Sequence, residues 1–142
     1  MMKRSRKFMA LVVCALMVCA VAITSRAEAA GDETPAVKIA EKEGIGRYLT
    51  DPSGMTLYYF TKDTPTTSAC TGPCVDKWPL FHSEVSVVPA GCDVSDFDVI
   101  NREDGKKQST YKGKPLYYYY RDEKPGDTTG QGAGGVWYVV AP

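Results

Sequence analysis

The sequence predicts an all-β fold, a small single domain of two pseudo-repeated antiparallel β units connected by long polar loops. Three observations carry that expectation. A ten-residue segment recurs at an offset of 59 residues, short aromatic and β-branched runs alternate with turn signals, and no stretch of twelve or more residues has the period of an amphipathic helix. At 142 residues the chain is of single-domain size, which argues against an enzyme with a separate cofactor domain.

From the N-terminus, Lys3, Arg4, Arg6 and Lys7 precede an apolar run from Phe8 to Ile23, and Ala27-Glu28-Ala29 offers small residues for cleavage. Residues 1–29 therefore read as a signal peptide, the apolar run being shorter than the roughly 20 residues that span a bilayer. The membrane is met only through this precursor segment. Val13 and Val18 stand before Cys14 and Cys19 where lipid attachment needs a small residue, so no lipid anchor is expected.

Cleavage changes the composition. The whole chain has seventeen basic and seventeen acidic residues, whereas residues 30–142 keep twelve and sixteen, a net charge of −4. An acidic domain with no basic stripe is a poor nucleic-acid binder, and none is expected as a partner. Residues 30–43 are polar, acidic and interrupted by Pro35, and read as a flexible leader. The folded domain is expected over 44–142, with repeats at about 45–81 and 104–140.

Turn signals then punctuate the chain: Asp51-Pro-Ser-Gly54, Asp104-Gly105, Lys112-Gly113 and Pro125-Gly-Asp127. Gly54 to Asp63 matches Gly113 to Asp122 with five identities in ten, and Trp78 and Trp137 fall at the same offset. Each half reads as a strand, a tight turn, an aromatic strand ending in Asp, a long polar loop and a strand led by Trp. A short helical turn is expected around Cys74 to Trp78. Between the halves, Phe97 to Arg102 and Lys106 to Tyr111 predict an additional hairpin closed by a type I′ turn at Asp104-Gly105.

Tyr58-x-Phe60-x-x-Asp63, Tyr117-x-Tyr119-x-x-Asp122, Cys70-Thr-Gly-Pro-Cys74 running into Trp78-Pro79, and Pro125 to Gly132 before Trp137 together resemble the bacterial secreted-repeat family. Its members are predicted lipoproteins or secreted proteins with a Tyr-x-(Phe/Trp/Tyr)-x-x-Asp motif. The resemblance covers nearly all of 45–142 and implies an exported envelope protein of no established activity. This chain departs from the pattern in lacking a lipobox and in carrying Cys92.

The candidate ligand-binding residues are Tyr58, Phe60, Asp63, Tyr117, Tyr119, Asp122, Trp78 and Trp137. Alternation along a strand puts Tyr58 with Phe60, and Tyr117 with Tyr119, on one face, while Tyr59, Tyr118 and Tyr120 point the other way. Such rings either pack in a core or form a platform for a sugar, quinone, haem or polymer. Asp63 and Asp122 end equivalent strands, where an Asp commonly accepts backbone N–H bonds and fixes the following turn. Facing each other, they would instead serve glycoside hydrolysis or bind a hard cation.

Cys70, Cys74 and Cys92 remain after cleavage, and a structural bridge between two of them is expected in an oxidising compartment. With His82 they form a Cys-x3-Cys-x7-His-x9-Cys series, a ligand set suited to zinc or copper. No resident cofactor is otherwise expected, and no motif marks a catalytic nucleophile. The sequence thus reads as an exported, non-enzymatic periplasmic or extracellular binding module, envelope-associated, whose partner is a small molecule, a polymer or an envelope protein. Thiol-redox or metal handling in support of extracytoplasmic electron transfer is the alternative, and a glycan-active enzyme using Asp63 and Asp122 the weaker one.

Overall fold

The computed structural model describes residues 34–142; the signal-peptide segment lies outside them. Seven short strands and one short helix follow in order: β1 (Lys38–Lys42), β2 (Gly46–Thr50), β3 (Tyr58–Phe60), α1 (Pro73–Lys77), β4 (Phe97–Asn101), β5 (Lys107–Tyr111), β6 (Lys114–Pro115) and β7 (Trp137–Val139). All pairing is antiparallel, in small sheets β1-β2, β3-β7 and β4-β5-β6. Pro73 opens α1, where its missing N–H is harmless.

The two halves interlock. Strand β3 from the first half pairs with β7 from the second, in the register Tyr58↔Val139, Tyr59↔Tyr138 and Phe60↔Trp137. Conversely, the 116–118 segment of the second half takes Pro79 and Phe81 of the first, through Tyr118 N–H to Pro79 O at 2.7 Å and Phe81 N–H to Leu116 O at 3.0 Å. At the centre Tyr58 and Tyr117 exchange both backbone hydrogen bonds, at 2.9 and 3.0 Å. Each aromatic strand is therefore completed by the Trp-led segment of the other half.

Two matching backbone rings tie the hairpins to this centre. In one, Leu49 N–H donates to Val140 O, Val140 N–H to Leu57 O and Leu57 N–H to Leu49 O, at 2.8 to 3.1 Å. In the other, Ser109 N–H donates to Phe81 O, Phe81 N–H to Leu116 O and Leu116 N–H to Ser109 O, at 2.9 to 3.0 Å. Leu57 and Leu116, and Phe81 and Val140, are related by the same 59-residue offset as the motif. The contacts recur with partners exchanged, as a pseudo-twofold relation requires.

Alternation along these strands divides the core in two. Leu49, Leu57, Leu116 and Val140 join Val37, Phe81 and Tyr111 in one cluster, while their neighbours Tyr48, Tyr58, Tyr117 and Val139 join Cys70, Trp78 and Trp137 in the other. Both faces of the central strands are thus covered, and the near-continuous apolar runs follow from that.

Three expectations are corrected. The leader reading fails from Ala36 onward, because Ala36 and Val37 are buried and β1 is a paired strand; the acidic residues of this stretch sit on its exposed positions. The hairpin β4–β5 is not an addition between the halves, since β1–β2 is its counterpart in the first half. Nor is it closed by a type I′ turn, which needs positive φ at both central residues, whereas Asp104 has none. A wider loop closes it, with Gly105 N–H bonded to Arg102 O and Arg102 N–H to Lys106 O, both at 2.9 Å. The I′ geometry occurs instead at Lys112-Gly113, with φ of 48° and 71°, between β5 and β6.

Candidate functional site

The predicted ligand residues converge at the crossing of the two halves. The Tyr58 hydroxyl donates to Asp122 Oδ2 at 2.6 Å, and the Tyr117 hydroxyl donates to Asp63 Oδ2 at 2.6 Å. Each motif Tyr is thus held by the motif Asp of the opposite half. The second carboxylate oxygen of each Asp takes a backbone N–H from the loop that follows it: Ala69 to Asp63 at 2.7 Å and Thr129 to Asp122 at 3.0 Å. Thr129 Oγ1 also donates to Asp122, and Gly130 N–H donates to the Tyr58 oxygen at 3.2 Å. The two carboxylates fix the two long loops and do not face one another as a free acid and base.

Beside these pairs runs a four-ring stack. Phe60 lies on Trp137 at 4.3 Å and 10°, Trp137 on Trp78 at 3.8 Å and 4°, and Trp78 on Tyr119 at 4.3 Å and 31°. Phe60 and Tyr119 are repeat equivalents, as are the two Trp, so the pseudo-twofold passes between the indoles. Tyr58 meets Trp78 edge-on at 5.5 Å, and Tyr117 meets Trp137 likewise at 5.0 Å. Offset and edge-to-face pairs of this kind each contribute about 0.5–1.5 kcal/mol beyond burial.

Burial separates packing residues from accessible ones. Tyr58 and Tyr117 are wholly buried, whereas Tyr119 is half-buried and Tyr120 is 47% exposed. The stack therefore emerges at one end into a surface groove of about 280 Å³, walled by Trp78, Tyr119, Tyr120 and Trp137 and flanked by Lys77 and Arg121. Arg121 Nε donates to the Tyr120 hydroxyl at 2.8 Å, which sets the ring's pose.

Burial also moves the phenols. Tyr58, Tyr117 and Tyr118 all ionise above the ordinary Tyr value, chiefly because a phenolate would be desolvated, with Asp122, Asp63 and Asp51 respectively adding to the effect. The unfolded chain loses these protons near pH 10 while the native state retains them. The neutral phenols thus contribute stability that is complete below about pH 10 and declines as pH rises through it. We expect the unfolding free energy to fall above pH 10 by up to about 4 kcal/mol per pH unit for three such groups. The tyrosinate absorbance of these three residues should then appear only together with loss of near-UV circular dichroism; their ionisation with the fold intact would contradict the assignment.

The cysteine series is not brought together. Cys70 and Cys74 are bonded to each other, with Cα atoms 5.3 Å apart, across the loop that starts α1. Cys92 is a half-buried free thiol beside Tyr111, packed against the other core cluster, and His82 Nδ1 lies 3.5 Å from Ser109 Oγ. No group of three or more His, Cys, Asp or Glu side chains able to hold a metal occurs among the described residues. With its first two sulfurs joined, the zinc or copper series is not a ligand set in this form of the protein.

Sequence reasoning missed three residues here. Gly130 opens the Gly-rich stretch 130–135, which in the sequence reads as a flexible loop delivering Trp137 to its strand, and Thr129 stands just before it. Yet Gly130 is buried, and a Cβ there would stand 2.9 Å from both Trp78 and Tyr119. Its lack of a side chain makes room for the rings. Arg102 is the third, 8% exposed, with Nη2 donating to Cys70 O at 2.6 Å and Nη1 to Gln108 Oε1 at 2.7 Å. It ties the disulfide loop of the first half to β5 of the second.

This architecture defines a duplicated, interlocked β module whose aromatic–acidic motif joins the two halves. Within that class the chain belongs to the family described as a secreted repeat of unknown function (Lipoprotein_15), which matches twice, over residues 41–82 and 98–141. No curated protein and no solved structure matches it.

Proposed function

We propose that the protein is an exported, non-enzymatic binding module of the periplasm or cell surface, and that its ligand lies in the groove where the ring stack emerges. One observation carries this reading: Tyr119 brings the packed ring stack to the surface, with Tyr120 edge-on beside it at 5.2 Å, and Lys77 and Arg121 flank the two rings. An accessible ring pre-oriented by packing loses little entropy on binding. Flanking positive charge on an otherwise acidic domain selects a ring-bearing anion, the chemistry shared by acidic glycans and aromatic acids. The commitment of Asp63 and Asp122 to phenols and loop amides supports binding over hydrolysis.

Titration of the Trp fluorescence with polygalacturonate and, separately, with 4-hydroxybenzoate tests this, with neutral dextran as control. A saturable change is expected for at least one anion, weakened by added salt. Tyr120→Ala and Arg121→Ala should each reduce affinity about tenfold, corresponding to one stacking or charge contact of about 1.4 kcal/mol. Equal response to dextran, or wild-type affinity in both variants, would remove the groove from consideration.

A further inference from the structure

A second concavity lies away from the ring stack, between the disulfide loop and the tip of the β4–β5 hairpin. It has a volume of about 380 Å³, within the range of roughly 300–1,000 Å³ usual for small-molecule sites. Its wall is unlike that of the groove: it is lined by Thr66, Thr67 and Thr71, by the buried Ile100 and Arg102, and by Glu103 and Asp104.

Arg102 supplies the independent observation. Its side chain is 3% exposed, and both terminal nitrogens are committed to protein acceptors, but its buried Nε has no hydrogen-bond partner. Its ion-pair partner Asp104 Oδ2 stands at 3.5 Å, longer than the roughly 2.7–3.2 Å of an N–H···O bond. Asp104 is 41% exposed at the hairpin tip, where its Oδ1 accepts from the Lys106 N–H at 3.0 Å, so only Oδ2 has to turn away from Nε for a ligand oxygen to reach it. A buried donor without an acceptor is costly, and a ligand oxygen that reaches it repays that cost on binding.

The charges around it select the ligand. Two carboxylates, Glu103 and Asp104, repel a free anion, and the buried guanidinium repels a cation. A neutral polyol suits both: one hydroxyl accepts from Nε, others donate to the carboxylates and exchange hydrogen bonds with the threonines. Those three hydroxyls have no protein partner among the described residues. Ile100 offers an apolar surface to the C–H face of a ring. We infer that this cavity is a binding site for a neutral monosaccharide or the neutral end residue of a glycan, distinct from the aromatic groove and independent of the reading given to it.

Two-dimensional ¹H–¹⁵N NMR of the oxidised mature protein tests this, with D-glucose, D-galactose and N-acetyl-D-glucosamine as probes and sodium acetate at matched ionic strength as control. The expected result is saturable movement of the Thr67, Gly72 and Asp104 amides and of the Arg102 Nε–H signal with at least one sugar. Thr71→Val and Glu103→Gln are solvent-exposed substitutions that should leave the remaining spectrum intact and weaken binding at least tenfold. The inference is overturned if no sugar moves these signals, if acetate moves them as far, or if the shifts cluster at Tyr119 and Tyr120 instead.

Discussion

Residues 34–88 and 89–142, produced as separate chains, should each be largely unfolded, and mixing them should restore the native near-UV circular dichroism and Trp fluorescence. The reason lies in the exchange of strands. In the first fragment β3 would lose β7, Trp78 would lose Trp137, and Phe81 would lose Leu116. In the second, β7 would lose β3 and the 116–118 segment would lose both Tyr58 and Pro79. Both core clusters draw residues from both halves, so neither fragment retains one intact. Domains of about 50 residues are already marginal, and these would lack their central pairing as well. The Cys70–Cys74 bridge lies within the first fragment, so no covalent bond substitutes for the cut chain. In the intact protein the connection serves mainly to hold the halves at high effective concentration. A 34–88 fragment with native Trp78 fluorescence and protected amides would show that the halves fold first and dock later.

Much of this arrangement is legible in the sequence, and the illegible part has physical causes. The 59-residue offset of the Tyr, Asp and Trp positions marks the residues that meet at the centre, because duplication preserves geometry. It does not say that they meet across halves. Alternation specifies which face a side chain occupies, and leaves the partner strand open; Tyr58 beside Asp63 in the same half and Tyr58 beside Asp122 in the other give one and the same pattern. The Asp104-Gly105 dipeptide is compatible with both a two-residue I′ turn and the wider loop observed, and only the backbone bonds decide between them. The hidden role of Gly130 follows from ring positions contributed by distant segments, Trp78 and Tyr119, and Arg102 is buried because the disulfide loop of the other half closes over it. The cysteines were ambiguous by count alone; the shortest of the three pairings is the one formed, leaving Cys92 free.

Asp122→Ala should be among the most damaging single substitutions in the protein, lowering stability by about 3–4 kcal/mol in urea unfolding. Asp122 is 9% exposed and accepts from three donors: the Tyr58 hydroxyl, the Thr129 N–H and the Thr129 hydroxyl. Alanine leaves all three without an acceptor, and each unsatisfied buried donor costs about 1–3 kcal/mol, less what local relaxation and entering water recover. Asp63→Ala should cost only about half as much. Asp63 accepts from two groups, is less buried, and already carries a burial penalty that holds its carboxyl above the ordinary Asp range. Moreover, the Tyr117 hydroxyl retains Ser68 Oγ as a neighbour when Asp63 is removed, whereas Tyr58 has no second acceptor. Tyr58→Phe separates the contribution of the pair from that of the loop. It deletes the hydrogen bond to the charged Asp122, about 1.5–3 kcal/mol, together with the one accepted from the Gly130 N–H, and leaves Thr129 bonded to Asp122. The double variant should therefore be less destabilised than the two single losses added together, since both remove the same bond. Strict additivity would mean that the Tyr58–Asp122 contact carries no coupling, and that the motif Tyr and Asp of each half act on their own loops only.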